Sequence, residues 1–318
     1  MSSIILQYFK SLNCDIIILK IKGVAEIVKF ILGRAGSGKS KKINEIILNE
    51  INAGNEKLMV VVPEQFSFEK EKSMLEYLGN NKFGNVKVMS FSRLCDFIPS
   101  VLSIPAVKPS SDIAQILMIS EAIESLKSDL KMYAKGSVDI KTAELILKTI
   151  TELKSNKIDK EALQKIHDLC GKDILKQKIK EMIAIYDAYK ILCKSGEGDS
   201  ADTLSALENI IKSSDFFEGY TVFFDGFSNF TAQQFSLIEE IMLQAKEIYM
   251  AFCVDEKEII ISEYSLFLPS LKTISKIKKI ASKNFISAEE KIILNESVKF
   301  ENSELKILEE NIFRPVKK

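Results

Sequence analysis

Residues 27–40 read Ile-Val-Lys-Phe-Ile-Leu-Gly-Arg-Ala-Gly-Ser-Gly-Lys-Ser, and this stretch decides the fold class. Its first half, with Ile27, Val28, Phe30, Ile31 and Leu32, is the compact apolar run of a strand buried on both faces of a parallel sheet. Its second half, Gly33, Arg34, Ala35, Gly36, Ser37, Gly38, Lys39 and Ser40, satisfies the P-loop pattern G-x-x-x-x-G-K-[ST]. Glycines at this spacing let the backbone wrap closely around a polyphosphate with its N–H groups turned inward. A helix starting there presents its positive end to the same anion, and Ile43, Ile46, Ile47 and Ile51 provide the one-sided apolar face of such a helix. The expected ligands are ATP and Mg²⁺, with Lys39 on the β- and γ-phosphates and Ser40 on the metal.

The alternation continues outward from this loop. Residues 58–62 form a second strand-like run ended by Pro63, and residues 66–78 return to helical spacing through Phe66, Met74 and Leu78. A third strand is expected at 86–89, with Ser90, Phe91, Ser92 and Arg93 at the head of another helix. Strands alternating with helices predict βαβ units and a parallel sheet. Between about Ser111 and Cys193 helical periodicity takes over, for example Ile146, Ile150 and Leu153, then Leu175, Ile179, Met182, Tyr186 and Tyr189. Residues 194–199, with Gly196 and Gly198, form a turn-rich exit. Strand-like runs resume at 220–224 and 247–253, separated by a helix opening at Thr231.

The expected organisation is an extension at 1–27, an α/β core at 28–110, a helical insertion at 111–199, the second part of the core at 200–255 and a mixed segment at 256–318. The last ends in a short amphipathic helix around Leu305, Leu308 and Ile312. The apolar run at 14–19 is too short for a secretory signal and lacks a cleavage site. A start of translation near Val24 or Val28 is the alternative reading of the extension.

The 318 residues are 46% hydrophobic and 28% charged, which excludes a wholly disordered chain. The 44 basic and 44 acidic residues cancel, so no global field draws the chain to nucleic acid or an anionic membrane, and any DNA contact must come from a local groove. Five cysteines without a C-x-x-C pair, and a single histidine, His167, argue against a zinc site or a disulfide framework and for the cytoplasm. No apolar run approaches the roughly 18 to 20 residues of a membrane span, so no membrane partner is expected. Lys276, Lys278, Lys279 and Lys283 read as a solvated helix face.

Asp225, closing the run Val222, Phe223 and Phe224, is the candidate Mg²⁺-shell acid and reads equally well as a turn former beside Gly226 and Asn229. Gly226 stands where many hydrolysing enzymes carry a glutamate, so no catalytic residue is assigned. Pro63, Gln65 and Phe66, and likewise Ser90, Phe91, Ser92 and Arg93, follow strand ends, where ligands bind in open α/β sheets. An aromatic near an arginine suits stacking and phosphate contact with a single strand. The alternative is that Phe66 and Phe91 are core residues.

Four segments, GRAGSGKS, VVPEQFSFEKE, VMSFSRL and VFFDGFSNFTAQQ, occur in that order, and together the chain resembles from about Val28 onward the amino-terminal part of AddB, a subunit of the bacterial AddAB helicase–nuclease. The resemblance implies a RecA-like P-loop NTPase domain of the UvrD/Rep type with an all-helical insertion. It further implies a role in processing DNA double-strand ends for recombinational repair, with AddA as the partner that carries an active motor. Residues 33–40 match the family's nucleotide loop, Asp225 with Gly226 its degenerate second motif, and the segments around Phe66 and Phe91 its strand-contacting positions. The second RecA-like domain and the nuclease with its iron–sulfur cysteines are not expected within these 318 residues, so translocation or cutting by this piece alone is not expected either. The competing readings are an autonomous P-loop ATPase or kinase, for which Glu64 and Glu69 are poor bases, and a scaffold with a vestigial loop.

Overall fold

Six apolar runs pair side by side in one parallel sheet: β1 (Ile27–Gly33), β2 (Leu58–Val61), β3 (Val86–Met89), β4 (Thr221–Phe224), β5 (Glu247–Cys253) and β6 (Lys291–Leu294). In this computed structural model, residues 27–107, 110–133, 139–193, 200–255, 265–288, 290–295, 298–299 and 302–311 are described. The strand order is β3-β2-β4-β5-β1-β6, every neighbouring pair parallel. Residues 1–26 of the extension with Cys14 and Val24, the exit turn at 194–199 and Ile312 lie outside the described residues, whereas Val28, the other alternative start, is a buried residue of β1.

Burial explains the composition of the strands. All four residues of β2 and of β4 are buried, so these strands show no alternation of apolar and polar residues, with Thr221 the one polar member. β6, whose Lys291 is exposed, pairs with β1 at the sheet edge. This strand is not legible within the mixed segment of the sequence, because four residues without period 2 carry too little signal.

Helix α1 (Lys39–Asn52) follows β1 directly, and its Ile43 and Ile47 are fully buried in a core with Ile31, Val60, Phe223 and Tyr249. The Phe223 and Tyr249 rings stack with centroids 5.0 Å apart. After β2 come a short 3-10 turn, Glu64–Phe66, and helices α2 (Ser67–Leu78) and α3 (Asn80–Phe83). Helix α4 (Phe91–Leu102) follows β3.

The chain forms two compact units. The first holds the sheet and comprises the residues up to Phe91, Ile211–Phe230 and those from Ile238 on; the second comprises Ser92–Ile210 and Thr231–Leu237. The described residues of the second unit include helices and no strands, with α5 (Asp112–Ser125), α6 (Ile140–Ser155), α7 (Lys160–Leu169), α8 (Asp173–Leu192) and most of α9 (Ser200–Lys212). Ser111, Asp139 and Asp159 cap three of them by accepting backbone N–H bonds. Their apolar faces close over a core of Ile119, Ile123, Ile146, Ile150, Ile185 and Tyr189. Glu181, almost wholly buried, accepts N–H bonds from Lys131, Met132 and Tyr133 and one from Gln177. Burial opposes its charge, but these donors outweigh it and hold the carboxyl below the usual glutamate range.

Helix α10 runs over Ala232–Met242. Its start is a reciprocal cap in which Gln234 N–H donates to Thr231 Oγ1 and Thr231 N–H to Gln234 Oε1, next to the helix opening expected at Thr231. Helices α11 (Leu268–Lys283) and α12 (Ser303–Asn311) complete the first unit, and α11 carries the four lysines read as a solvated face. Among the described helices none is long and apolar enough to cross a membrane.

Ile47 has no exposed surface in the middle of the sheet–α1 core. Ile47→Ala should destabilise the protein by about 2–5 kcal/mol, read as a lower urea midpoint at unchanged m-value.

Candidate functional site

Parallel pairing fixes where the candidate residues meet. Gly33 lies opposite Cys253, and Val61 lies opposite both Met89 and Phe224. The residues just beyond these strand ends therefore gather on one edge of the sheet: the loop at 33–40, Pro63 to Phe66, Ser90 and Phe91, Asp225 with Gly226, and Asp255. Ser92 and Arg93 are exposed and belong to the second unit.

The loop at 33–40 turns on two left-handed glycines, Gly36 and Gly38, at φ 76° and 85°. Gly33 is required for a different reason, since a Cβ there would collide with Ser37 Oγ and come within 2.7 Å of Leu294 O. Gly38 sits at the head of α1, whose first turn carries no acidic residue to compete for its positive end. Lys39 Nζ donates to the carbonyls of Gly33 at 2.8 Å and Arg34 at 2.7 Å, so the lysine is folded back over its own loop. Burial pushes its ammonium below the usual lysine range, partly offset by Cys253, Asp225 and Glu309. The Ser37 hydroxyl is buried with no hydrogen-bond partner, and Ser40 is exposed. A buried, unpartnered hydroxyl inside a loop of left-handed glycines at a helix N-terminus fits a phosphate group.

The loop is also covered from the C-terminal side, which the sequence reading did not anticipate. Val298 N–H donates to Gly36 O at 2.9 Å and Lys299 N–H to the same oxygen at 3.2 Å. Arg34 grips Glu309 of α12 through both carboxylate oxygens at 2.8 Å, donates to the Glu309 carbonyl, and reaches Asp255 at 3.3 Å. Arg34, read as one member of the nucleotide loop, is therefore engaged with α12.

Asp225 is buried and forms an ion pair with Lys70 of α2 at 2.9 Å. Lys70 is buried too and also donates to Asn44 Oδ1 of α1 at 3.3 Å. The sequence reading put Asp225 at the strand end, where it lies, but missed Lys70, whose position in EKEK looks like any charged helix face. As an expected ligand of Mg²⁺, Asp225 does not fit as the structure stands: an ammonium already holds the carboxylate. Among the described residues no group of three or more His, Cys, Asp or Glu is arranged to hold a metal.

A pocket of about 370 Å³ opens beside this pair, lined by Ser40, Val62, Phe66, Glu69, Lys70 and Asp225 among others. Phe66 is 44% exposed at its rim, and Gln65 is exposed next to it. Ser90 and Phe91 are different: both are buried, and the Phe91 ring packs edge-on against Phe227 and Phe230 at 5.7 and 6.3 Å. Of the two readings offered for Phe91, the core one describes its environment, because a ring enclosed by other rings presents no face to a base.

The profile of the family described as ADDB, N-terminal, matches residues 30–309. The chain belongs to this AddB N-terminal family. Its similarity extends to proteins named as the B subunit of an ATP-dependent helicase/deoxyribonuclease. The chain is 33% identical over 290 residues to that of Clostridium novyi (strain NT), covering 90% of this chain and 26% of the relative. It is 31% identical to that of Thermoanaerobacter sp. (strain X514) and 32% to that of Caldanaerobacter subterraneus subsp. tengcongensis, each over 90% of this chain and 25% of the relative. The chain thus spans about a quarter of the length of the curated relatives it matches.

The glycine after Asp225 has a steric basis in this AddB-family chain. Gly226 has φ 82°, and a Cβ there would sit 3.3 Å from Pro63 Cδ and 3.7 Å from Phe66 Cδ2. Gly226→Glu should therefore cost about 1–3 kcal/mol in thermal or urea unfolding and yield no ATP turnover above that of the parent chain.

Proposed function

We propose that this chain is the N-terminal nucleotide- and DNA-binding module of an AddB-type subunit, acting with an AddA-type helicase–nuclease partner in double-strand-end processing for recombinational repair. On this reading the sheet unit is a RecA-like P-loop domain of the UvrD/Rep type, and the helical unit is its insertion. The loop at 33–40 binds ATP; Phe66 and Gln65 face single-stranded DNA at the carboxyl edge of the sheet.

The observation that carries the reading is the loop itself. A match to G-x-x-x-x-G-K-[ST] sits between a buried parallel strand and an amphipathic helix, within a chain whose family membership covers residues 30–309. Gly226 in place of a glutamate supports binding without efficient hydrolysis, since no carboxylate there can orient a water. The names of the relatives, each of which denotes one component of a helicase/deoxyribonuclease, support a partner chain.

Equilibrium binding of ATP to the whole chain tests the reading. The wild-type chain should bind saturably, and Lys39→Ala should weaken binding by at least about tenfold, or about 1.4 kcal/mol, while turnover stays at background with and without single-stranded DNA. Lys39-dependent turnover at about 1 s⁻¹ or faster would replace this reading with an autonomous ATPase.

Phe66→Ala should weaken single-stranded DNA binding by about 1–3 kcal/mol in a fluorescence-anisotropy titration. An unchanged affinity would remove Phe66 from the DNA-contacting surface.

A further inference from the structure

We propose that the Lys70 ammonium is the resident cation of this site, standing at Asp225 in place of a divalent metal, so that the loop takes free nucleoside triphosphate as readily as its magnesium complex. The inference rests on the nucleotide reading of residues 33–40 and adds to it the metal requirement of the site.

The ammonium is tied to two elements of the sheet unit. Lys70 and Asp225 are each 7% exposed, 2.9 Å apart, and come from α2 and from the end of β4. The second acceptor of Lys70 is Asn44 Oδ1 at 3.3 Å, itself buried and one helical turn beyond Ser40 on α1. The cation is thus held between the strand that ends in the acid and the helix that opens with the loop, and Ser40, Lys70 and Asp225 line one pocket. A lysine has three N–H donors, and these contacts account for two. The third is left for an oxygen of a bound phosphate.

A divalent ion entering this place would have to displace Lys70 from Asp225. That would leave a buried ammonium without its carboxylate, the costly way to break a buried pair. Mg²⁺ needs an octahedral set of oxygens and is normally bound through carboxylates as well as phosphates. Glu69, the other acid on the pocket wall, is exposed. Lys39 serves the phosphates with or without a metal, so what Lys70 adds is one fixed positive charge opposite Asp225 and one N–H donor at the place a metal would take. The counter-charge to Asp225 is then built into the chain, whereas the geometric clamp that a metal provides for phosphoryl transfer is not, in line with a site that binds without turning over.

Calorimetric titration of the whole wild-type chain with ATP, once with saturating Mg²⁺ and once with EDTA, decides the matter. The two dissociation constants should agree within about threefold. Lys70→Met, which removes the ammonium and frees the carboxylate, should bind more weakly in EDTA and regain at least about tenfold on addition of Mg²⁺. A wild-type affinity at least about tenfold tighter with Mg²⁺ would overturn this inference and leave the nucleotide reading standing. Absence of saturable binding in both conditions would overturn both. Thermal unfolding of Lys70→Met reports whether the variant folds; if it does not, the wild-type comparison alone is decisive.

Discussion

Parallel strands impose a constraint on everything else in this molecule. Each strand must be re-entered from the same end, so the chain crosses back between strands and all six carboxyl ends collect at one edge of the sheet. Residues as far apart in sequence as Gly33, Pro63, Ser90, Asp225 and Asp255 become neighbours of that edge for this reason alone. The demand that the crossover after β1 pack against the sheet then selects the isoleucine face of α1, and the tight joint between β1 and α1 selects the glycines of the loop.

At that edge the balance of charge departs from what the motif suggests. The acid after β4 is buried with a lysine rather than left open, and a buried pair of this kind is held by the loss that either partner would suffer alone. The loop is likewise engaged from outside, by Glu309 on its Arg34 and by the backbone of residues 298 and 299 on Gly36. Both arrangements bring groups from distant segments of the chain to the same edge of the sheet.

The two aromatic candidates show how far composition can be read. Phe66 and Phe91 each follow a strand end, and nothing in their immediate neighbours separates them. Phe66 closes a short 3-10 turn and stays at the rim of a pocket, whereas Phe91 heads a helix and is enclosed by Phe227 and Phe230. The difference comes from residues well over a hundred positions away, contributed by the connection after β4. Lys70 and β6 were hidden by the same limitation, one inside an ordinary run of charges and the other in four residues at a sheet edge.

The alternation of strand and helix, the loop at 33–40, the position of Asp225 and the family were all legible along the chain, because they depend on local spacing and on segments that keep their order. Which charges are neutralised, which aromatic is buried and which segment covers the loop became decidable only in three dimensions. Burial and pairing depend on distances between residues that are remote in sequence, and no periodicity or composition encodes those distances.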